Sequence, residues 1–183
     1  LYQSGSYQQA ADQFQRAIAS DPKNASGYYN LAASLHKSGK LFNRPADLTQ
    51  AEQLYNQCLE YDPNHTECYR GLAVLMSERG RSAEAFALLE GWVDHAPSMP
   101  DPRIELARLY EEYGDSEEAK RQLVEALHTD PQNATVLAAL GLGPLDLRNT
   151  RSLCRRPARR RCSPVLVATL AWSLETRCPR GNA

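Results

Sequence analysis

Four histidines, His36, His65, His95 and His128, are the side chains of this 183-residue chain best suited to proton transfer or metal ligation. None stands in an HExxH spacing or in a close His/Cys cluster on one helix, so no metal and no cofactor is expected. His95 and His128 fall near the ends of amphipathic stretches, where an imidazole can satisfy terminal carbonyls. The adjacent carboxylates Glu111/Glu112 and Glu117/Glu118 read as solvated helix faces, because neighbours in sequence do not converge on one substrate atom. GxxxxGK[ST], GxSxG and GxGxxG do not occur, which removes the usual phosphate cradles and the nucleophile elbow. The chain is expected to be noncatalytic.

Five cysteines at irregular spacing form neither a paired framework nor two CxxC knuckles. Cys58 lies in an apolar stripe and is expected to pack as a small thiol. The odd count leans towards a reducing compartment such as the cytoplasm, although compartment is otherwise left open. No apolar run reaches the roughly 18 residues of a membrane helix; Val165 to Leu174 has about half that span.

Charge divides the chain. Residues 1–147 carry 12 basic and 21 acidic side chains, whereas residues 148–183 carry nine arginines and one glutamate. Gly143 to Cys162 alone holds seven of those arginines. Such a cluster could neutralise phosphates, with steep salt dependence. The abrupt change to nine Arg, three Cys and no Lys, directly after a correctly begun repeat, instead favours a shifted frame or read-through over nucleic-acid binding.

The elements that must position these residues recur. Four similar endings, AADQFQRAIASDP, AEQLYNQCLEYDP, AFALLEGWVDHAP and AKRQLVEALHTDP, close on Pro22, Pro63, Pro97 and Pro131, at separations of 41, 34 and 34 residues. Twelve residues before each proline stands Ala10, Ala51, Ala85 or Ala119; eight before it, Phe14, Tyr55, Leu89 or Leu123; five before it, Ala17, Cys58, Trp92 or Ala126. Offsets of four and three place them on one helical face. Gly80 and Gly114, and Gly5 in the first unit, separate two periodic runs, with Ser82 and Ser116 expected to cap the second run. A second signature, YYNLAASL, YRGLAVLM and RIELARLY, opens each unit and puts Ala32, Ala73 and Ala107 at the helix crossing. Each unit is therefore helix, tight turn, helix.

In these spacings, residue sizes and turns the chain resembles the tetratricopeptide repeat family. The resemblance covers residues 1–142: a half repeat, three full repeats and the start of a fifth. It implies an all-α, right-handed superhelical solenoid of antiparallel helical hairpins. Trp92, Cys58 and Arg103 depart from the usual residue types, and Trp92, Tyr28 and Tyr69 are expected to fill core space. Seven extra residues near 42–50 lengthen one unit; with Pro45 opening its second helix, the hairpin would project about 10 Å beyond its neighbours. After Pro131 a further helix begins, with Leu140 and Gly141 where Leu106 and Ala107 stand one unit earlier, and then Pro144 breaks the pattern. Residues 143–183 form a separate Arg/Cys-rich tail, expected to be disordered or out of the native frame, and Leu1 falls inside a helix rather than at its start.

The resemblance further implies that the first helices line a concave groove. Phasing places Tyr29, Asn30, Ala33 and Lys37 there, then Arg70, Val74 and Glu78, then Ile104, Glu105, Arg108 and Glu112. Such a surface suits an extended or helical peptide, and its acidic groups favour a basic one. One subtype clamps a C-terminal carboxylate with Asn, Lys and Arg; Asn30 resembles its Asn, but Glu67 and Gly71 stand where basic groups are needed. The expected function is a noncatalytic interaction scaffold. Alternatives are the recognition arm of a larger glycosyltransferase- or sulfotransferase-like enzyme, and nucleic-acid binding through the tail.

Overall fold

The computed structural model describes residues 7–141, and among them it contains eight α-helices and no strand. They are α1 (Tyr7–Ser20), α2 (Ala25–Leu41), α3 (Pro45–Tyr61), α4 (Thr66–Glu78), α5 (Ser82–His95), α6 (Asp101–Glu112), α7 (Ser116–Thr129) and α8 (Ala134–Ala139). Successive helices pack against each other, so α2/α3, α4/α5 and α6/α7 are three antiparallel hairpins between a lone α1 and a short α8. This is the right-handed solenoid of helical hairpins. The Arg-rich segment and Gly5 lie outside the described residues.

The repeated offsets are the core. Ala51, Tyr55 and Cys58 of α3, Ala85, Leu89 and Trp92 of α5, and Ala119, Leu123 and Ala126 of α7 are all buried. In α1 the pattern holds only partly. Ala10 is buried and Phe14 half-buried, but Ala17 is exposed, α1 packing mainly on α2 among the described helices. Trp92 stacks on Tyr69 with ring centroids 4.1 Å apart, filling space within its hairpin. Tyr28 sits nearer the rim, stacked on the exposed Tyr61 and donating its hydroxyl to the Pro22 carbonyl.

The turns inside the hairpins share one hydrogen-bonding scheme. Gly80 and Gly114 have φ of 74° and 83°. This left-handed step lets the following amide reach back five residues, from Arg81 N–H to Met76 O and from Asp115 N–H to Tyr110 O. In the long hairpin Asn43, at φ 54°, takes the same role, and Arg44 N–H donates to Gly39 O. Ser82 and Ser116 are not the caps. The turn is one residue shorter than expected, so both serines are already helical; Asp115 caps α7 by accepting from Glu118 N–H, and Arg81 precedes α5 without a side-chain cap bond. Gly141 is also not an interior helical residue, since α8 stops at Ala139 and Gly141 has φ 68°.

Pro45 opens α3 as expected. The seven extra residues do not all fall in one helix. Both α2 and α3 run to 17 residues, against 12 to 14 in the other hairpins, so the projection is about one turn, roughly 5 Å. A Cβ at Gly39 would lie 2.8 Å from Leu48 Cδ2, which shows how closely the added turns cross. Leu41 and Phe42 at the tip remain exposed.

Between hairpins the sequence Asp-Pro-x-Asn does double work. Asp21, Asp62 and Asp130 accept from the amide two residues on, while Asn24 and Asn133 cap the helix that follows. His65 occupies the Asn place and caps α4 through Nδ1, accepting from Cys68 N–H at 3.3 Å.

That junction also overturns the expectation of a free Cys58. Cys58 and Cys68 are joined by a disulfide that ties α3 to α4, their Cα atoms 6.7 Å apart. The two lie ten residues apart on different helices, and only the intervening turn brings them together. An odd total is no argument against one local pair.

Candidate partner-binding groove

The first helices of the hairpins form the inner row. α2 touches α4 and α4 touches α6, in addition to the contacts each makes inside its own hairpin. Polar bridges run across this row. Glu78 of α4 accepts from Lys40 Nζ at 2.5 Å and meets His36 Nε2 at 3.0 Å, both on α2. Burial pushes the Glu78 carboxyl up, but hydrogen bonds and charge from Lys40 and His36 outweigh it and hold the group below its ordinary value.

Arg70 of α4 donates through Nε and Nη2 to the two carboxylate oxygens of Glu105 on α6, at 2.8 and 2.5 Å. The guanidinium is held above its usual value by that hydrogen bond to Glu105. Arg108 adds a longer contact, Nη1 to Glu105 Oε1 at 3.4 Å. Glu105 is only 4% exposed, so this fork compensates a carboxylate taken out of water.

The structure therefore sorts the residues expected in the groove into three groups. Lys37, Val74, Arg108 and Glu112 are exposed, and Tyr29, Asn30 and Ala33 are half-buried. Arg70, Glu78 and Glu105 are joined to neighbouring inner helices, with Glu105 withdrawn into the array. Ile104 does not face the groove. It is 5% exposed and belongs to the apolar cluster of Ala107, Leu123 and Val136, which joins α6 to α7 and α8. Tyr29 lies over His65, ring centroids 5.4 Å apart, and burial raises its phenol, Glu67 adding to the effect and Arg70 opposing it.

Sequence reasoning missed His36 and Lys40. Their signal was present: both follow Ala33 at helical offsets and offer nitrogen partners to a carboxylate, Lys40 with its positive charge. They border an open cavity of about 340 Å³ whose lining also includes Gly39, Leu48, Leu75 and Arg79. Gly71, by contrast, has no room for a basic side chain. A Cβ there would meet the Tyr55 ring at 2.7 Å.

A tetratricopeptide repeat model matches residues 46–97 and 78–142, a second matches 25–65, and a TPR repeat model matches 1–39. The chain belongs to the tetratricopeptide repeat family. Among curated proteins it is similar to tetratricopeptide repeat protein 8 of Mus musculus, 29% identical over 92 residues, and to that of Homo sapiens, 35% identical over 69 residues. Those matches cover 48% and 38% of this chain but only 18% and 13% of the relatives' lengths. Among solved structures, a thermophilic TPR protein of Thermus thermophilus, TTC0263, aligns with a TM-score of 0.61 at 19% identity, covering 76% of this chain and 74% of that one. MamA aligns with a TM-score of 0.50 at 16% identity, covering 78% and 72%. No helix among the described residues is long and apolar enough to cross a membrane.

Proposed function

We propose that the array is a noncatalytic scaffold that receives an extended or helical segment of a protein partner along the inner row of α2, α4 and α6. Tetratricopeptide repeats as a class are protein-interaction scaffolds, and the chain carries the repeat through residue 142. The observation that carries the reading is the cross-bracing of the inner row. His36 and Lys40 to Glu78, and Arg70 to Glu105, join each inner helix to the next, so the groove is fixed before a partner arrives. A preformed surface loses little conformational freedom on binding.

The side chains left for a partner are mixed. Ala33 and Val74 offer apolar contact, Lys37 and Arg108 positive charge, and Glu67 and Glu112 negative charge. With Glu105 already neutralised, preference for basic segments rests on Glu67 and Glu112 rather than on the middle of the groove. Because Arg70 supports a buried carboxylate, the groove is best tested at positions outside that bridge.

Partner capture with the full chain is compared with a Lys37→Glu/Val74→Glu/Glu112→Lys variant, and with Glu60→Lys on the exposed side of α3 as control. The groove variant should lose partners that the control retains. Recovery of every partner by the groove variant would remove this assignment.

A further inference from the structure

The junction between α3 and α4 departs from its siblings at three positions that meet in space. Five residues before the junction proline stands Cys58, where the other units have Ala17, Trp92 and Ala126. Two after it stands His65, in place of Asn24, Met99 and Asn133. Five after it stands Cys68, in place of Gly27, Pro102 and Val136. One donor atom from each of Cys58, His65 and Cys68 lies within 4.8 Å of the other two. Both cysteines are fully buried and the His65 side chain is 11% exposed.

We propose that the reduced junction is a site for zinc(II) with Cys58, His65 and Cys68 as its protein ligands, so that the disulfide and the metal-bound form exclude each other. Two thiolates and an imidazole are the donor set that zinc favours. Bond lengths of about 2.0 to 2.3 Å at the tetrahedral angle require donors about 3.3 to 3.8 Å apart, within the reach these residues already have. Cys68 lies in the first turn of α4, where the helix end favours a thiolate. Glu67 Oε2 stands 3.4 Å from His65 Nδ1, adding negative charge beside the cation. Tyr29 lies against the imidazole, ring centroids 5.4 Å apart.

Opening the disulfide takes two electrons and two protons from a dithiol, which closes to its own cyclic disulfide and leaves two thiols on the protein. Zinc then binds both sulfurs as thiolates and releases two protons. In the oxidised form the same two sulfurs are bonded to each other and donate to no ion. The site is thus a metal centre whose availability follows the thiol redox state.

The test uses the full chain carrying Cys154→Ser, Cys162→Ser and Cys178→Ser, reduced with dithiothreitol, freed of it under nitrogen and titrated with cobalt(II). One equivalent should bind with a thiolate-to-cobalt charge-transfer band that zinc(II) bleaches, while helical circular dichroism stays unchanged. Cys58→Ala installs the residue found at buried Ala126 and should abolish the band, as should Cys68→Ala. His65→Asn restores the cap used by the sibling turns and should keep helicity while weakening cobalt binding about tenfold or more. An absent band in the reduced helical chain, loss of helicity on reduction, an undiminished band in Cys58→Ala, or unchanged affinity in His65→Asn would each overturn the proposal.

Discussion

Arg70 and Glu105 show why a charge on a helix face cannot be read as free surface. The phase of α6 places Glu105 on the inner row, yet its carboxylate is 4% exposed and gripped by two nitrogens of Arg70. Truncating one partner of such a pair is costly chiefly because the other charge is stranded. Arg70→Met should therefore destabilise the chain by about 2 kcal/mol in urea, with Arg108 limiting the loss. A double-mutant cycle with Glu105→Gln should return a coupling of about 1 to 2 kcal/mol. A cost below about 0.5 kcal/mol for Arg70→Met would mean that the pair behaves as an ordinary exposed bridge. The charge types were legible in the sequence. The pairing was not, since it joins residues 35 apart through the distance between two inner helices.

At the scale of the element, the hairpin turns were largely written in the chain. Gly80 and Gly114 do adopt the left-handed step, and Pro45 does start α3. What escaped was Asn43, which serves as the glycine of the long hairpin, and the caps, which shift by one residue because Ser82 and Ser116 are drawn into their helices. A Cβ at Gly114 meets nothing within 4 Å, so Gly114→Ala should cost only the backbone penalty of a left-handed alanine, about 1 to 2 kcal/mol. Asn43→Gly should leave thermal stability within about 0.5 kcal/mol of wild type, since asparagine tolerates the same region. Thermal melts of the two variants check both; an Asn43→Gly loss as large as that of Gly114→Ala would show that Asn43 acts through its side chain instead.

For the whole molecule, α6 is the point where two apolar clusters meet. Leu106 and Leu109 face the larger cluster of α1 to α5, whereas Ile104 and Ala107 face α7 and α8. Stacked repeats are stabilised through nearest-neighbour contacts, so damage at one interface propagates outward from it. Ile104→Ala should cost about 2 to 4 kcal/mol, and native-state hydrogen exchange should show α7 and α8 losing protection well before α2 to α5. Uniform loss across all helices would mean that the array unfolds as one unit. The inner row and its bridges are a property of this stacking, and the proposed partner groove exists only while successive hairpins remain in register.

By itself the sequence determined the periodic elements: the small and large residues at offsets of four and three, the prolines that close each unit, and the glycines that turn it. These are local, because helical phase and backbone torsion are set by residues within a few positions of each other. Only the tertiary structure decided which side chains meet across that framework. It withdrew Glu105 and Ile104 from the groove, brought His36 and Lys40 to Glu78, and drew Cys58, His65 and Cys68 together at one junction. Those meetings depend on how far one hairpin rotates against the next, and that rotation is fixed by packing between residues distant in the chain.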